Sequence, residues 1–146
     1  MYPEIKILVE DPKLLPLRAH PTDAGADLFS KDNAVVMPLS DQPTMVDTGV
    51  AVAIPKGYVG LIFNRSGQGK KLVSLPNAVG VIDSDYRGNI KVMLENHGSV
   101  PYEIKAYETR IAQLVVVPIV LPTFIQSTKD NWNDTDRGEK GFGSTG

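Results

Sequence analysis

The chain has 146 residues, no cysteine, 15 Lys and Arg against 17 Asp and Glu, and a formal net charge of −2. The length suits one domain that buries roughly two-thirds of its unfolded surface, and the missing thiols exclude a disulfide scaffold, a thiolate nucleophile and a zinc knuckle. No apolar run approaches the ~20 residues that span a bilayer, Met1-Tyr2-Pro3-Glu4 lacks signal-peptide order, and the charge balance argues against polynucleotide binding. The expectation is a soluble cytoplasmic protein in which a few local groups can still hold a small anion.

Thirteen Gly and eleven Pro are spread along the chain, which leaves room for no more than a short helix. Residues 5–9 open as a β-rich run, and Asp27 stands at a strand start after a Gly turn. Residues 50–54 alternate large and small side chains, and residues 58–63 follow the Pro55-Lys56-Gly57 turn. Residues 66–72 predict one or two helical turns with Ser66 as the N-cap, weakened by Gly67 and Gly69. Residues 79–90 read as strand, turn and strand, and residues 90–95 alternate between two faces. Residues 111–117 are apolar apart from Gln113, as expected of a strand buried on both sides. These short strands predict an all-β subunit, a distorted jelly roll or β-barrel with one short helix. The barrel is expected over 1–125. From 126 to 146 the chain is polar, with Trp132 and Phe142 its only large apolar residues, and should be a mobile tail unless something docks it.

Several segments carry groups suited to chemistry. Asp83, Asp85, Tyr86 and Arg87 crowd one turn. They make an ordinary polar hairpin tip, or else supply a carboxylate to deprotonate water and a ring to pack on a ligand. Arg65, Ser66 and Gly67 lead from a strand into the predicted helix and suit an anion, or else Ser66 caps the helix and Arg65 pairs with a carboxylate. Gln113 is a buried amide that needs partners. Arg110 and Gln113 have opposite strand parity, so without a bulge they cannot face one site. In the tail, glycines flanking Phe142 would let backbone N–H groups wrap phosphate oxygens while the ring covers a base.

Taken in order, five segments resemble the motifs of the trimeric deoxyuridine triphosphate nucleotidohydrolases (dUTPases). They are residues 24–28, Gly60-Leu61-Ile62 leading to Arg65-Ser66-Gly67, residues 80–88, residues 110–114, and residues 137–146. The resemblance implies a jelly-roll-like subunit in a homotrimer, with three interface sites each built by all three chains. It implies hydrolysis of dUTP to dUMP and pyrophosphate, which limits uracil in DNA and supplies dUMP for thymidylate synthesis. In that reading Asp83 is the general base, Gln113 helps place the attacking water, and Asp27 lies near the triphosphate and Arg65. Arg65, Ser66, Gly67 and Gln68 contact phosphates. The hairpin from Asn77 to Met93, with Ile82 and Lys91 in it, holds deoxyuridine: Asn77 and backbone groups near Gly80, Val81 and Ile90 read uracil, and Tyr86 packs on the sugar. Arg137, Phe142, Gly143, Ser144 and Thr145 close over the substrate from the 126–146 tail of a neighbouring subunit. Mg²⁺ is the implied cofactor, held through phosphates and waters without direct protein ligands, Asp27 standing behind the waters.

Three departures from the family pattern stand out: Asn64 where many relatives carry Pro, Gln68-Gly69 in place of a more helix-favouring pair, and Lys140 where the tail motif usually has Gly, so that its Cβ strains the turn or its ammonium adds a phosphate contact. One rival reading is a dCTP deaminase-like enzyme, similar in fold, but the position of its catalytic Glu is Met93 here, and a thioether shuttles no protons. A second is a dUTPase-like regulatory protein that uses the nucleotide site as a switch for a partner.

Overall fold

The computed structural model describes residues 3–141. Among them are β1 (Lys6–Val9), β2 (Ala26–Phe29), β3 (Ala34–Val36), β4 (Thr44–Asp47), β5 (Val50–Ala53), β6 (Tyr58–Phe63), α1 (Ser66–Gly69), β7 (Val73–Ser74), β8 (Gly80–Ile82), β9 (Lys91–Asn96), β10 (Tyr102–Ile104) and β11 (Arg110–Pro118). The expected all-β architecture is present. Antiparallel pairing gives a four-stranded sheet β2-β11-β6-β8, a three-stranded sheet β4-β9-β7, and the two-stranded pairs β1-β5 and β3-β10. No helix among the described residues is long and apolar enough to cross a membrane.

The alternating strands send their apolar faces into one core. Leu14, Leu28, Ile54, Ile90, Leu94 and Ile111 are fully buried there with Val36, Val50, Val52, Val73 and Val92. Each such side chain contributes about 1.5–3 kcal/mol of transfer free energy. Buried polar groups are tied to backbone. Thr48 Oγ1 donates to the Ile90 carbonyl at 2.8 Å, and Asn96 Nδ2 donates to the carbonyls of Val36 and Val100 at 3.0 and 2.8 Å.

Two local expectations are corrected. β11 is not buried on both sides along its length: Ile111, Ala112 and Leu114 are buried, whereas Val115, Val116 and Val117 are half-buried. In α1 the N-cap is Arg65, not Ser66. Arg65 holds the extended φ of −99° and ψ of 145°, and its backbone N–H donates to Gln68 Oε1 at 3.4 Å, the return contact a Gln at the third helical position can make. After Pro118 the Ile119 N–H still donates to the Gly57 carbonyl at 2.9 Å. Beyond it, residues 120–141 are exposed, including Val120, Leu121, Phe124, Ile125 and Trp132.

Candidate active site

β11 is the spine of the site because it pairs with β2 on one side and β6 on the other, setting Gln113 opposite both Asp27 and Phe63. The chain leaves β6 through Asn64 and Arg65, so Arg65 arrives beside Asp27. Its Nε donates to Asp27 Oδ1 at 2.6 Å and its Nη2 to Oδ2 at 3.1 Å, a bidentate pair. Arg110 Nη1 lies 3.3 Å from the same Oδ2, with its guanidinium 5.8 Å above the Phe29 ring. The bulge that parity demanded is present: Arg110 pairs with Phe29 and Ala112 with Leu28, so Ile111 is the extra residue. Arg110 and Gln113 thereby line one groove of about 380 Å³ with Asp23, Gly25, Asp27, Arg65 and Ser66.

Gln113 Nε2 donates to the Asn64 carbonyl at 2.9 Å. Its side chain occupies the space of an absent Cβ at Gly25, which would stand 3.0 Å from Gln113 Cδ. Two arginines and two aspartates line the groove, so its formal charge is zero. A ligand carrying several negative charges needs further cations there. Both Asp27 oxygens are engaged by arginine, and no group of three or more metal-ligating side chains occurs among the described residues. A metal here would therefore take its ligands from the substrate and water.

The hairpin is a separate construction. β8 is an edge strand paired only with β6 among the described residues, which leaves outward-facing backbone groups of Gly80, Val81 and Ile82 open to a ligand. Gly80 lets β8 lie close against β6, since a Cβ there would meet Ile62 Cβ at 3.0 Å. Asn77 is exposed in the preceding turn, where Ala78 has φ +59°. Asp83 is exposed, and its carbonyl accepts the Tyr86 N–H at 3.2 Å. Tyr86 folds back over Gly88, its hydroxyl donating to the Asn89 carbonyl at 2.9 Å. Asn89 Nδ2 in turn donates to Glu10 at 2.7 Å, and Lys31 closes the cluster on Glu10 at 3.1 Å. The Asn89 amide first, then the Lys31 ammonium, holds the Glu10 carboxyl below the usual glutamate range.

Some sequence-predicted residues lie elsewhere. Ile90 is fully buried, its N–H donates to the Val50 carbonyl at 2.8 Å and its carbonyl accepts from Thr48. It has no group left for a base. Lys91 and Met93 stand opposite Asp47 and Met45 in the other sheet. Gln68 is 2% exposed and turned inward, with its N–H given to the Arg65 carbonyl at 3.0 Å; it is not a groove residue. Arg137 Nε donates to the Lys140 carbonyl at 3.1 Å. Gly138, with φ +54°, takes the strained position of that turn, while Lys140 has no positive φ and its Cβ meets no such penalty. Phe142, Gly143, Ser144 and Thr145 lie outside the described residues.

The groove and the Asp83 turn do not meet within one chain. Ile82 stands level with Gly60 and Gly60 with Val116, two strands across and three residues along from Gln113. Strand geometry then puts the Asp83 backbone roughly 16 Å from that of Gln113. The Gln113 amide is turned to Asn64 and Gly25 instead.

An arginine groove without a carboxylate cage, and an open strand edge suited to a planar base, equip a hydrolase for a nucleotide polyphosphate. The family model for dUTPase matches residues 11–146, and the chain belongs to that family. It is 46% identical over 139 residues to the deoxyuridine 5'-triphosphate nucleotidohydrolase of Corynebacterium diphtheriae, covering 93% of this chain and 88% of that one. With the same enzyme of Zymomonas mobilis it shares 43% over 145 residues, covering 98% and 96%. Among solved structures it resembles the dUTPase of Staphylococcus bacteriophage 80alpha with dUpNHpp, with TM-score 0.81, 32% identity and 98% of both chains covered. The dUTPase of phage phi11 of S. aureus, studied for the coordination of a structural Mg(II) ion, matches with TM-score 0.77 at 28% identity, covering 89% of this chain and all of that one.

Proposed function

We propose that this chain hydrolyses dUTP to dUMP and pyrophosphate at sites shared between subunits of a homotrimer, the groove of one chain facing the hairpin of the next. The observation that carries the sharing is the roughly 16 Å between Asp83 and Gln113 in one chain, too far for the base and the amide to hold one water. A threefold ring brings unlike patches together and closes on itself. The apolar, exposed Val120, Leu121, Phe124 and Ile125 suit burial against a neighbouring subunit.

In this reading Asp83 takes a proton from water as its oxygen attacks the α-phosphorus. The bond from the α-phosphorus to the bridging oxygen breaks, and pyrophosphate leaves with that bond's electron pair. Gln113 positions the water and the α-phosphate. Arg65, Ser66 and Gly67 receive the phosphates, and Arg65 is aimed by Asp27 rather than left to swing. Arg110 joins them, a role that spacing alone did not assign. The open edge of β8 and the Asn77 side chain read uracil, and Tyr86 covers the deoxyribose. A backbone-lined slot rejects the thymine methyl and a pressed ring leaves no room for a 2′-hydroxyl, so selectivity rests on exclusion and unmet hydrogen bonds.

Mg²⁺ fits this groove as a phosphate-bound, water-coordinated ion, because the lining has no net positive charge and Asp27 has no oxygen free for direct ligation. Such an ion would neutralise triphosphate charge. The segment 126–146 supplies Arg137 and the terminal residues to a neighbouring site. Pyrophosphate release on dUTP, dCTP, dTTP and UTP tests the reading, with strong preference for dUTP expected. Ammonia release from dCTP, or equal turnover of the four, would overturn it. Met93, half-buried opposite Met45, leaves the deaminase without its acid.

A further inference from the structure

At α1, the amide side chains of Asn64 and Gln68 have bonding that is half complete. Asn64 Nδ2 donates to the Val73 carbonyl at 2.8 Å, which fixes that amide's orientation and leaves Oδ1 as its free end. Gln68 accepts the Arg65 N–H on Oε1 at 3.4 Å, which fixes its orientation in turn and leaves Nε2. Among the described residues, Asn64 Oδ1 and Gln68 Nε2 are the buried side-chain atoms with no protein partner. One is an acceptor and the other a donor. Two isolated orphans would be unfavourable at any site, yet these are complementary in type and lie four residues apart, Asn64 just before α1 and Gln68 within it.

Both residues connect to the groove through the backbone: the Asn64 main-chain carbonyl accepts from Gln113 Nε2, and Arg65, whose N–H donates to Gln68 Oε1, grips Asp27. Joining the two free atoms would make one continuous network from Gln113 through Asn64 and Gln68 to Arg65 and Asp27. We infer that Asn64 and Gln68 are a coupled pair of positioning residues, linked through Asn64 Oδ1 and Gln68 Nε2 by one ordered internal water at α1. A buried water commonly bridges otherwise unsatisfied groups in this way. The pair sets the aim of Arg65 and Gln113 without touching substrate, and the inference rests on the reading that those two residues face the phosphates.

The test is a double-mutant cycle on dUTP turnover with Asn64→Leu, Gln68→Met and the double variant. Each single change is expected to lower kcat/KM about tenfold. The double should also lose about tenfold, with the same division between kcat and KM, because all three lack the same link. Independent losses multiplying to about a hundredfold, or wild-type kcat and KM with only a lowered melting temperature, would overturn the coupling. A high-resolution crystal structure of the unmodified protein provides an arm that needs no variant. It should show a water within about 3 Å of both free atoms; separate protein partners for the two, or a dry gap, would refute the inference. Wild-type dUTP turnover separates the two levels of reasoning: if it is absent the functional reading falls and the pair's role with it, whereas turnover with multiplying losses removes the pair alone.

Discussion

If the Asp83 turn of one chain serves the groove of another, two inactive chains should rescue each other. Consider Asp83→Asn, which removes the base, and Arg65→Ala, which removes the main phosphate donor while Arg110 still neutralises Asp27 from 3.3 Å. Alone, each variant should keep at most about 1% of wild-type turnover. In trimers assembled at random from equal amounts, a working site needs an intact Arg65 from the chain carrying Asp83→Asn. It also needs an intact Asp83 from a neighbour carrying Arg65→Ala. Each condition is met half the time, so about a quarter of the sites, and about a quarter of wild-type activity, should return. Pyrophosphate release from co-expressed, differently tagged chains measures this, with native mass spectrometry confirming mixed trimers. Mixed trimers that stay inactive would mean that base and groove belong to one chain, and the roughly 16 Å separation drawn from strand register would be wrong as a guide to the site.

Gly88→Ala would put a Cβ 2.6 Å from the Tyr86 hydroxyl and force the ring off the Asn89 carbonyl. The preference for dUTP over UTP, taken as a ratio of kcat/KM values, should fall about tenfold; an unchanged ratio would dissociate Tyr86 from the sugar. Truncation before Arg137 should leave circular dichroism and assembly size unaltered while activity falls sharply, and loss of folding would make the segment structural. Because its folded pKa is lowered, Glu10 stabilises the fold above the usual glutamate value and loses that contribution as pH falls through the lowered one. The melting-temperature gap between wild type and Glu10→Gln should therefore narrow in acid. A gap that stays constant with pH would detach Glu10 from the hairpin.

The longer strands were legible because their apolar pattern persists over enough residues: β6 spans Tyr58–Phe63 as its sequence predicts, and β9 and β11 differ by one residue at their ends. β3, β4 and β10, of three or four residues each, are too short for period-two alternation to stand out from loop. Parity stated the condition for Arg110 and Gln113 to meet, but not whether it held. Consecutive buried Ile111 and Ala112 are the bulge's trace, and burial is a tertiary fact. The inward turn of Gln68 was equally invisible, because an amide beside a glycine reads as surface until neighbours enclose it. Ile90 was placed with the base-reading groups by motif adjacency, whereas its backbone is spent on Val50 and Thr48.

The open border of β8 has a cost outside catalysis. Polypeptides usually guard such a border with lysine, proline or a bulge against adhesion to other chains, but Gly80-Val81-Ile82 carries none of these, and Val81 is 61% exposed. On the proposed reading, a strand that recognises a base with its own amides cannot be so guarded, and a nucleotide that fits this border should suppress aggregation of the isolated chain even where no turnover is possible.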